Sequence, residues 1–330
     1  MTGAAGVQGA TVSARPGLRA LFRDRPLIPL LGLLALLVAL IGILKPEVLG
    51  PDWAIGIVRL SIPLALLAGC QTITFLTGGI DLSVGAVASM SGFLVATLVG
   101  GQGLPMAILI ALLAAALAGL ASGIGVGVFR VHPLIMTLGM SLVVLGLANV
   151  WQLMMVQTGS GVPAELRSLG SGTMLGFLPT SLLVFVPVAA FLLLMLRRTG
   201  YGRLLYAIGD NPVAARLSGA RSWQVLVVLY VISALIAAIA GFLYSGMGNT
   251  ASVTLVDSQV LPSVAAAVVG GTSIMGGRGG YGGTIVGAMI LIVLTSLLNA
   301  LGLPEAVRQV LFGSIIVLVA AAYTRVTGEG

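Results

Sequence analysis

The chain has 330 residues, of which 58% are hydrophobic and only 8% are charged, and its mean hydropathy is +1.15. Soluble domains carry about 25% charged residues. The composition therefore excludes a soluble globular protein and indicates an integral membrane protein. The net charge of +7 follows the predicted membrane topology, as shown below, and does not indicate a nucleic-acid partner.

In chain order, residues 1–20 are predicted to be a disordered cytoplasmic N-terminus, because they are rich in Gly, Ala, Ser and Thr. Residues 21–326 are predicted to form a single all-α transmembrane domain. The charge-free intervals are 26–44, 60–80, 82–129, 131–164, 168–196, 222–256, 258–277, 279–304 and 309–324. About twenty apolar residues cross a bilayer, so interval 82–129 holds two passes with a turn at residues 100–105. The sequence thus predicts about ten transmembrane helices.

The basic residues predict the orientation of these helices. If the N-terminus is cytoplasmic and the spans alternate, twelve of the sixteen Lys and Arg residues lie inside. Only Lys45, Arg59, Arg167 and Arg308 lie outside. Cytoplasmic loops carry the excess of positive charge in membrane proteins. Both termini are therefore predicted to lie in the cytosol.

Two glycine-rich segments, residues 76–85 and 270–283, interrupt apolar sequence and suggest an internal repeat with broken helices. The first is a candidate conformational or pathway motif. Its residues are Thr77, Gly78, Gly79, Asp81 and Ser83. We interpret Asp81 as the N-cap of the following helix, since it comes after a Gly-Gly turn and before a long apolar run. The alternatives are a conformational or ATPase-facing carboxylate and a direct solute contact.

Uncharged polar residues late in three spans are candidates for a solute pathway. They are Asn149, Gln152, Ser245, Asn249 and Asn299, and Gln157, Thr295 and Ser296 lie in the same three stretches. Amides and hydroxyls suit a neutral polyol better than an ion, and hydrogen bonding between helices is the competing interpretation.

The basic loop 197–222 follows a long apolar run and contains five of the sixteen Lys and Arg residues. Asn211-Pro212 predicts the start of a short helix, and Gly219 predicts its end. Small residues between them leave room for close contact. The loop is therefore predicted to dock a cytosolic partner, the alternative being an ordinary basic loop.

Several chemistries are absent from the sequence. The only lysine is Lys45, so no GxxxxGK[ST] phosphate loop is present. The single histidine excludes an HExxH metal site, and no serine lies in a G-x-S-x-G motif. We therefore predict a non-enzyme without its own cofactor or metal, driven by an ion gradient or by another polypeptide.

Three motifs resemble the permease subunits of bacterial ABC importers of the ribose, xylose, arabinose and galactoside class. They are residues 77–85 (TGGIDLSVG), residues 202–219 (GRLLYAIGDNPVAARLSG) and residues 276–279 (GGRG) followed by 283–287 (GTIVG). The resemblance covers about residues 27–325. It implies a fold like that of type II ABC importers, in the bacterial inner membrane.

The resemblance also implies partners: a second copy of the permease, a cytosolic ATPase that binds ATP and Mg, and an extracytoplasmic sugar-binding protein. In that family the basic loop holds the coupling helix that contacts the ATPase. The residues implied in coupling are Gly209, Asp210, Asn211, Ala214, Ala215, Arg216, Ser218 and Gly219. The implied solute is a monosaccharide or a similar neutral polyol. The alternatives are a permease for nucleosides or branched-chain amino acids, an ion-coupled carrier, and a heterodimer with a paralogous permease.

Overall fold

The computed structural model describes residues 27–155 and 161–327, with side chains up to residue 318. These residues form thirteen α-helices, two 3₁₀ helices and one short antiparallel hairpin. The helices are α1 (Leu27–Leu44), α2 (Pro51–Phe75), α3 (Val84–Gln102), α4 (Leu104–Gly127), α5 (Pro133–Met155), α6 (Ala164–Ser171), α7 (Leu182–Arg198), α8 (Gly200–Asp210), α9 (Pro212–Leu217), α10 (Ser222–Gly248), α11 (Val260–Val269), α12 (Tyr281–Ala300) and α13 (Glu305–Thr327). The 3₁₀ helices are Pro46–Val48 and Asp257–Gln259, and the strands are β1 (Thr173–Met174) and β2 (Leu178–Pro179). The predicted disorder of residues 1–20 falls outside the described part of the chain.

The all-α membrane fold is confirmed. Seven helices of the described residues are long and apolar enough to cross a bilayer, and the bent pair α7 and α8, with an angle of 68° between them, could form an eighth span. The predicted turn between two passes is present, because α3 ends at Gln102 and α4 begins at Leu104. Gly103 makes this turn with a φ of +74°. The predicted count of ten spans is not confirmed.

Interval 258–277 is one predicted span in which the structure has no helix of full membrane length. Its only α-helix, α11, has ten residues, which is about 15 Å of helix against a hydrocarbon core of about 30 Å. Three glycines then hold φ values of +87° at Gly271, +98° at Gly276 and +68° at Gly277. These left-handed conformations end the helix, so an uncharged interval of span length contains half a span followed by a turn.

Close packing of small residues holds the centre of the molecule together. A Cβ added at Gly119 would lie 2.5 Å from the carbonyl oxygen of Tyr230, and one at Gly123 would lie 2.7 Å from the Cα of Val227. Helix α4 therefore packs directly on the backbone of α10. Such contacts replace the hydrophobic driving force that is missing between helices in lipid. Helix α10 also contacts α2 and α3 and is the centre of the fold.

The outer faces of several helices expose large apolar side chains. On α5, Leu142, Leu147 and Leu153 are all more than 60% exposed. A soluble domain would bury such residues, whereas a membrane domain presents them to lipid or to another membrane helix. The polar groups discussed next lie in the interior or at the ends of the bundle.

Candidate functional site

Asp81 lies in a buried turn between α2 and α3 that connects four helices. Its Oδ1 accepts hydrogen bonds from the backbone N–H of Ser83 at 3.0 Å and from the Ser83 hydroxyl at 2.6 Å. Its Oδ2 accepts from the hydroxyl of Ser233 on α10 at 2.8 Å. Gln71 on α2 donates to the Asp81 carbonyl at 2.8 Å, and Leu82 donates to Thr137 on α5 at 3.1 Å. The turn is therefore tied to α2, α3, α5 and α10.

The interpretation of Asp81 as an N-cap is wrong. Helix α3 begins at Val84, and its N-cap is Ser83, whose side chain makes no capping bond. The chain forms a further turn at Leu82 and Ser83 before the helix starts, so Asp81 closes that turn and reaches across to α10. Asp81 is 2% exposed and forms no ion pair within residues 27–155 and 161–318. Its carboxylate is satisfied by hydroxyl and amide donors.

The rest of the predicted motif shapes the same break. Gly78 adopts a φ of +74°, which favours glycine. The Thr77 hydroxyl donates to the Thr74 carbonyl at 2.9 Å at the end of α2. A Cβ on Gly79 would lie 3.2 Å from both Pro133 and the Tyr230 hydroxyl. The five motif residues therefore form one structural unit.

The two glycine-rich segments and the basic loop meet at one point, which we call the glycine junction: Leu76, Gly209, Gly276 and Gly277. The N–H of Gly277 donates to the carbonyl of Leu76 at 3.1 Å. A Cβ on Gly209 would overlap the Leu76 carbonyl oxygen and lie 2.6 Å from the Gly277 nitrogen. Backbone therefore contacts backbone between the end of α8, the break after α2 and the break after α11.

The basic loop folds into two helices, α8 and α9, of which the sequence predicted only the second. The Oδ1 of Asn211 accepts from the N–H groups of Val213 at 3.0 Å and Ala214 at 2.9 Å, so Asn211 caps α9 as Asn-Pro predicts. Gly219 follows with a φ of +86°. Helix α8 is amphipathic and buries Leu205 and Ile208.

Six of the eight predicted coupling residues line one open groove of about 640 Å³ between α8, α9 and α10. They are Asp210, Asn211, Ala214, Ala215, Ser218 and Gly219. Ala214 is exposed, whereas Ala215 is buried. Arg216 instead lines a neighbouring cavity of about 750 Å³ with Arg130 and Arg221.

The resemblance implies coupling roles for Ala215 and Gly209. Both residues already contact the chain itself, Ala215 within the loop and Gly209 at the glycine junction. Ala214, in contrast, is exposed in the groove.

The five predicted pathway residues do not share one surface. The Asn149 amide donates to Leu145 on its own helix at 2.9 Å, and Gln152 is exposed on α5. Ser245 is buried against Gly92, and Asn249 ends α10 with a φ of 47°. Packing or helix termination accounts for Ser245 and Asn249. Asn299 lines a cavity, and Gln157 lies outside the described residues.

That cavity, which we call the polar cavity, occupies about 420 Å³ between α2, α11, α12 and α13, away from the glycine junction. Its polar lining residues are Trp53, Tyr244, Ser258, Gln259, Thr295, Ser296, Asn299, Glu305 and Arg308. Sequence reasoning named Thr295, Ser296 and Asn299 as polar residues late in one span and missed the other six, because the nine residues come from five separate stretches of the chain that only the fold brings together.

Within residues 27–155 and 161–327, no three His, Cys, Asp or Glu side chains are placed to hold a metal ion. The single cysteine, Cys70, is fully buried, and its thiol donates to the Ser233 carbonyl at 3.2 Å. The geometry is thus that of polar turns, cavities and an open groove in a helical membrane domain.

Comparison with known proteins identifies this arrangement. The family described as "Branched-chain amino acid transport system / permease component" matches residues 53–320. The chain belongs to this permease family. It is therefore a transport subunit and not an enzyme.

Named relatives match over most of their length. The ribose import permease protein RbsC of Bacillus subtilis (strain 168) is 35% identical over 298 residues, which are 90% of this chain and 92% of that protein. The fructose import permease protein FrcC of Rhizobium meliloti is 32% identical over 263 residues, 78% of this chain and 73% of that protein. The galactofuranose transporter permease protein YtfT of Escherichia coli (strain K12) is 34% identical over 267 residues, which are 80% of this chain and 77% of that protein. No solved structure matches.

Proposed function

We propose that this permease moves a monosaccharide or a similar small neutral polyol into the cytoplasm as the membrane subunit of an ATP-driven ABC importer. A cytosolic ATPase docks on α8 and α9, an extracytoplasmic binding protein delivers the solute, and a second permease subunit completes the assembly. The names of the relatives support sugar import, and family membership favours this reading over an ion-coupled carrier.

The observation that carries the proposal is the glycine junction. Helix α8 ends with Gly209 in backbone contact with Leu76 and Gly277, and no side chain separates them. A displacement of the docked helices is therefore transmitted directly to both broken segments. The Asp81 turn continues the connection to α10 and α5 through Ser233 and Thr137. Hydrolysis of ATP on the partner thereby acts on the interior of the membrane domain.

The distribution of charge supports a cytosolic position for the junction. Arg130, Arg216 and Arg221 line one cavity together with Thr77 of the break after α2. None of these arginines forms an ion pair within the part of the chain that the structure describes. At other positions, Lys45 pairs with Glu47 and Arg308 pairs with Glu305. The unpaired arginines suit a cytosolic surface that meets a partner or anionic lipid.

The docking step is tested by adding bulk where the groove is exposed. The variant Ala214→Trp fills the groove from a side chain that is free to turn into solvent. We expect the membrane domain to keep its melting temperature. The amount of the cytosolic ATPase that co-purifies should fall about tenfold, which corresponds to a loss of about 1.4 kcal/mol in the free energy of docking. Solute uptake falls with it. The control is Ser168→Trp, which adds the same bulk at an exposed site on α6.

Equal ATPase association in wild type and Ala214→Trp contradicts docking on α8 and α9. Uptake of a nucleoside or of leucine, but not of a monosaccharide, agrees with an ATP-driven importer and contradicts the proposed solute class. Uptake driven by a sodium or proton gradient without any ATPase contradicts the proposed function as a whole.

A further inference from the structure

The polar cavity reaches from one end of the bundle to mid-depth. It contacts α2 from Trp53 to Leu64, twelve residues that span about 16 Å of helix, or half of the hydrocarbon core. Its volume of about 420 Å³ lies within the range of about 300–1,000 Å³ typical of small-molecule pockets. The cavity is therefore large enough for one small solute.

A broken helix forms the inner wall of the cavity. The segment between α10 and α11 descends into the protein, because Val256 donates to the Ser89 hydroxyl near the start of α3 at 2.9 Å. Ser258, Gln259 and Pro262, where α11 begins, line the cavity. Transporters often place their solutes at such helix breaks near the midplane of the bilayer.

Apolar packing closes the cavity towards the glycine junction. Leu64, Leu291 and Phe312 line it and belong to a buried cluster with Ala65 and Ala265. The side chains below the cavity are thus mostly small and densely packed. The cavity is a blind pocket in the conformation described, as expected of a loading position rather than an open channel.

Several polar groups at the cavity have unused hydrogen-bonding capacity. The Nε of Arg308 is buried and makes no hydrogen bond within the described residues. The Asn299 side chain is exposed and lines the cavity, and the Tyr244 hydroxyl donates to Gln259 only at 3.5 Å. A buried donor without a partner is rare and costs about 1–3 kcal/mol. A ligand with hydroxyl groups offers an acceptor to the Nε of Arg308.

The charge of the cavity indicates the class of ligand. Its only charged lining residues are Glu305 and Arg308, which form an ion pair with each other. The indole N–H of Trp53 donates to Ser296 at 2.8 Å, which fixes that ring at the wall. Amides, hydroxyls and three aromatic rings around a neutralised pair suit a neutral, hydroxyl-rich molecule.

We propose that the polar cavity is a solute site of this permease and that it binds a neutral polyol of monosaccharide size in contact with Asn299, Gln259 and Arg308. This assignment rests on the proposed import function and adds the place where the solute is held. Helix α11 connects the cavity, at Pro262, with Gly270, whose backbone packs on Gly283 and Thr284 next to the glycine junction. One short helix thus joins the solute site to the segment that the ATPase moves.

The site is tested first by protection of a cysteine. Asn299→Cys in a Cys70→Ala background is labelled with a small maleimide in membrane vesicles that contain the permease alone. We expect D-ribose or D-fructose to slow the labelling about threefold by mass action, and L-leucine to leave it unchanged. Ser168→Cys, exposed on α6, is the control whose labelling no solute changes.

Absence of protection by any sugar at Asn299→Cys overturns the assignment, as does protection by L-leucine alone. Failure of Asn299→Cys to react, while Ser168→Cys reacts, shows a closed or lipid-filled cavity and also overturns it. No ATPase is present in this experiment, so its result does not depend on whether an ATPase docks on α8 and α9.

The second test fills the cavity in the complete importer. Gly56 lines the cavity, and a Cβ there meets no atom within 4 Å. The variant Gly56→Leu therefore occupies the space without a clash at its Cβ. We expect uptake to fall about tenfold while ATPase association stays at the wild-type level. Gly32→Leu on α1, where a Cβ also meets nothing within 4 Å, is the matched control.

Wild-type uptake by Gly56→Leu, when that uptake depends on ATP, contradicts the solute site but agrees with the import function.

Discussion

The glycine junction and the polar cavity are built in opposite ways. At the junction, Gly209 and Gly277 bring three chain segments into backbone contact, and no space is left for a methyl group on Gly209. At the cavity, Gly56 faces open space, and Arg308 keeps a buried donor without a partner. A part that transmits motion requires close contact, and a part that binds a solute requires room and unused polar groups. The same residue type, glycine, therefore has different consequences in the two regions.

The largest effect is expected at the junction. Gly209→Ala places a Cβ in overlap with the Leu76 carbonyl, and overpacking of this kind costs about 3 kcal/mol. We expect a lower melting temperature and a loss of about a hundredfold in uptake. Gly200→Ala is the control at the other end of α8, where a Cβ comes no closer than 3.7 Å to Arg203. Equal melting temperatures and uptake for Gly209→Ala and wild type contradict the tight junction.

A somewhat smaller effect is expected for the Asp81 turn. Asp81→Leu leaves the donors of Ser83 and Ser233 without an acceptor, which costs about 2 kcal/mol in the free energy of unfolding. Asp81→Asn keeps an acceptor for Ser83 and offers its amide to the Ser233 hydroxyl, so it costs less than about 1 kcal/mol. Thermal unfolding of both purified variants measures the difference. If the Asp81→Asn variant is as stable as wild type but has lost uptake, the negative charge of Asp81 itself has a role in transport.

The two ends of the bundle are predicted to face different compartments. Ser168→Cys and Ser218→Cys, each in a Cys70→Ala background, expose one thiol on α6 and one beside α9. Positive charge near α9 predicts that Ser218→Cys is labelled by an impermeant maleimide only after permeabilisation, with a difference of about tenfold in rate. Ser168→Cys is labelled on intact cells. Labelling of both from outside contradicts the orientation.

The smallest effect is expected at Gly56. Gly56→Ala meets no atom within 4 Å and replaces a helical glycine, so it stabilises α2 by about 0.5–1 kcal/mol. A rise in melting temperature confirms that the cavity wall is uncrowded. A fall in melting temperature as large as that expected for Gly209→Ala contradicts the difference in packing between the cavity and the glycine junction.

The sequence predicted what depends on composition and on local chemistry. Low charge predicts a membrane protein, Gly103 and its neighbours predict the turn between α3 and α4, and Asn211-Pro212 predicts the start of α9. Each of these follows from residues adjacent in the chain. Family motifs added the transport class, which residue chemistry alone left open between an importer and a carrier.

The sequence did not predict features that depend on contacts between distant segments. Hydropathy does not distinguish a span from α11 followed by a glycine turn, because both lack charge. The role of Asp81 depends on Ser233, 152 residues away, and the polar cavity joins Trp53 to Ser296, 243 residues away. The predicted pathway residues were chosen by polarity within spans, and polarity does not show which helix face meets a cavity.

Uptake by reconstituted vesicles tests the central claim most directly. The permease, its ATPase and its binding protein are placed in proteoliposomes without an ion gradient, and accumulation of labelled monosaccharide is followed with ATP or with a non-hydrolysable analogue at the ATPase. The account predicts accumulation with ATP only, and its loss in Gly209→Ala. Accumulation with the analogue, or uptake that needs an ion gradient and no ATPase, would contradict it.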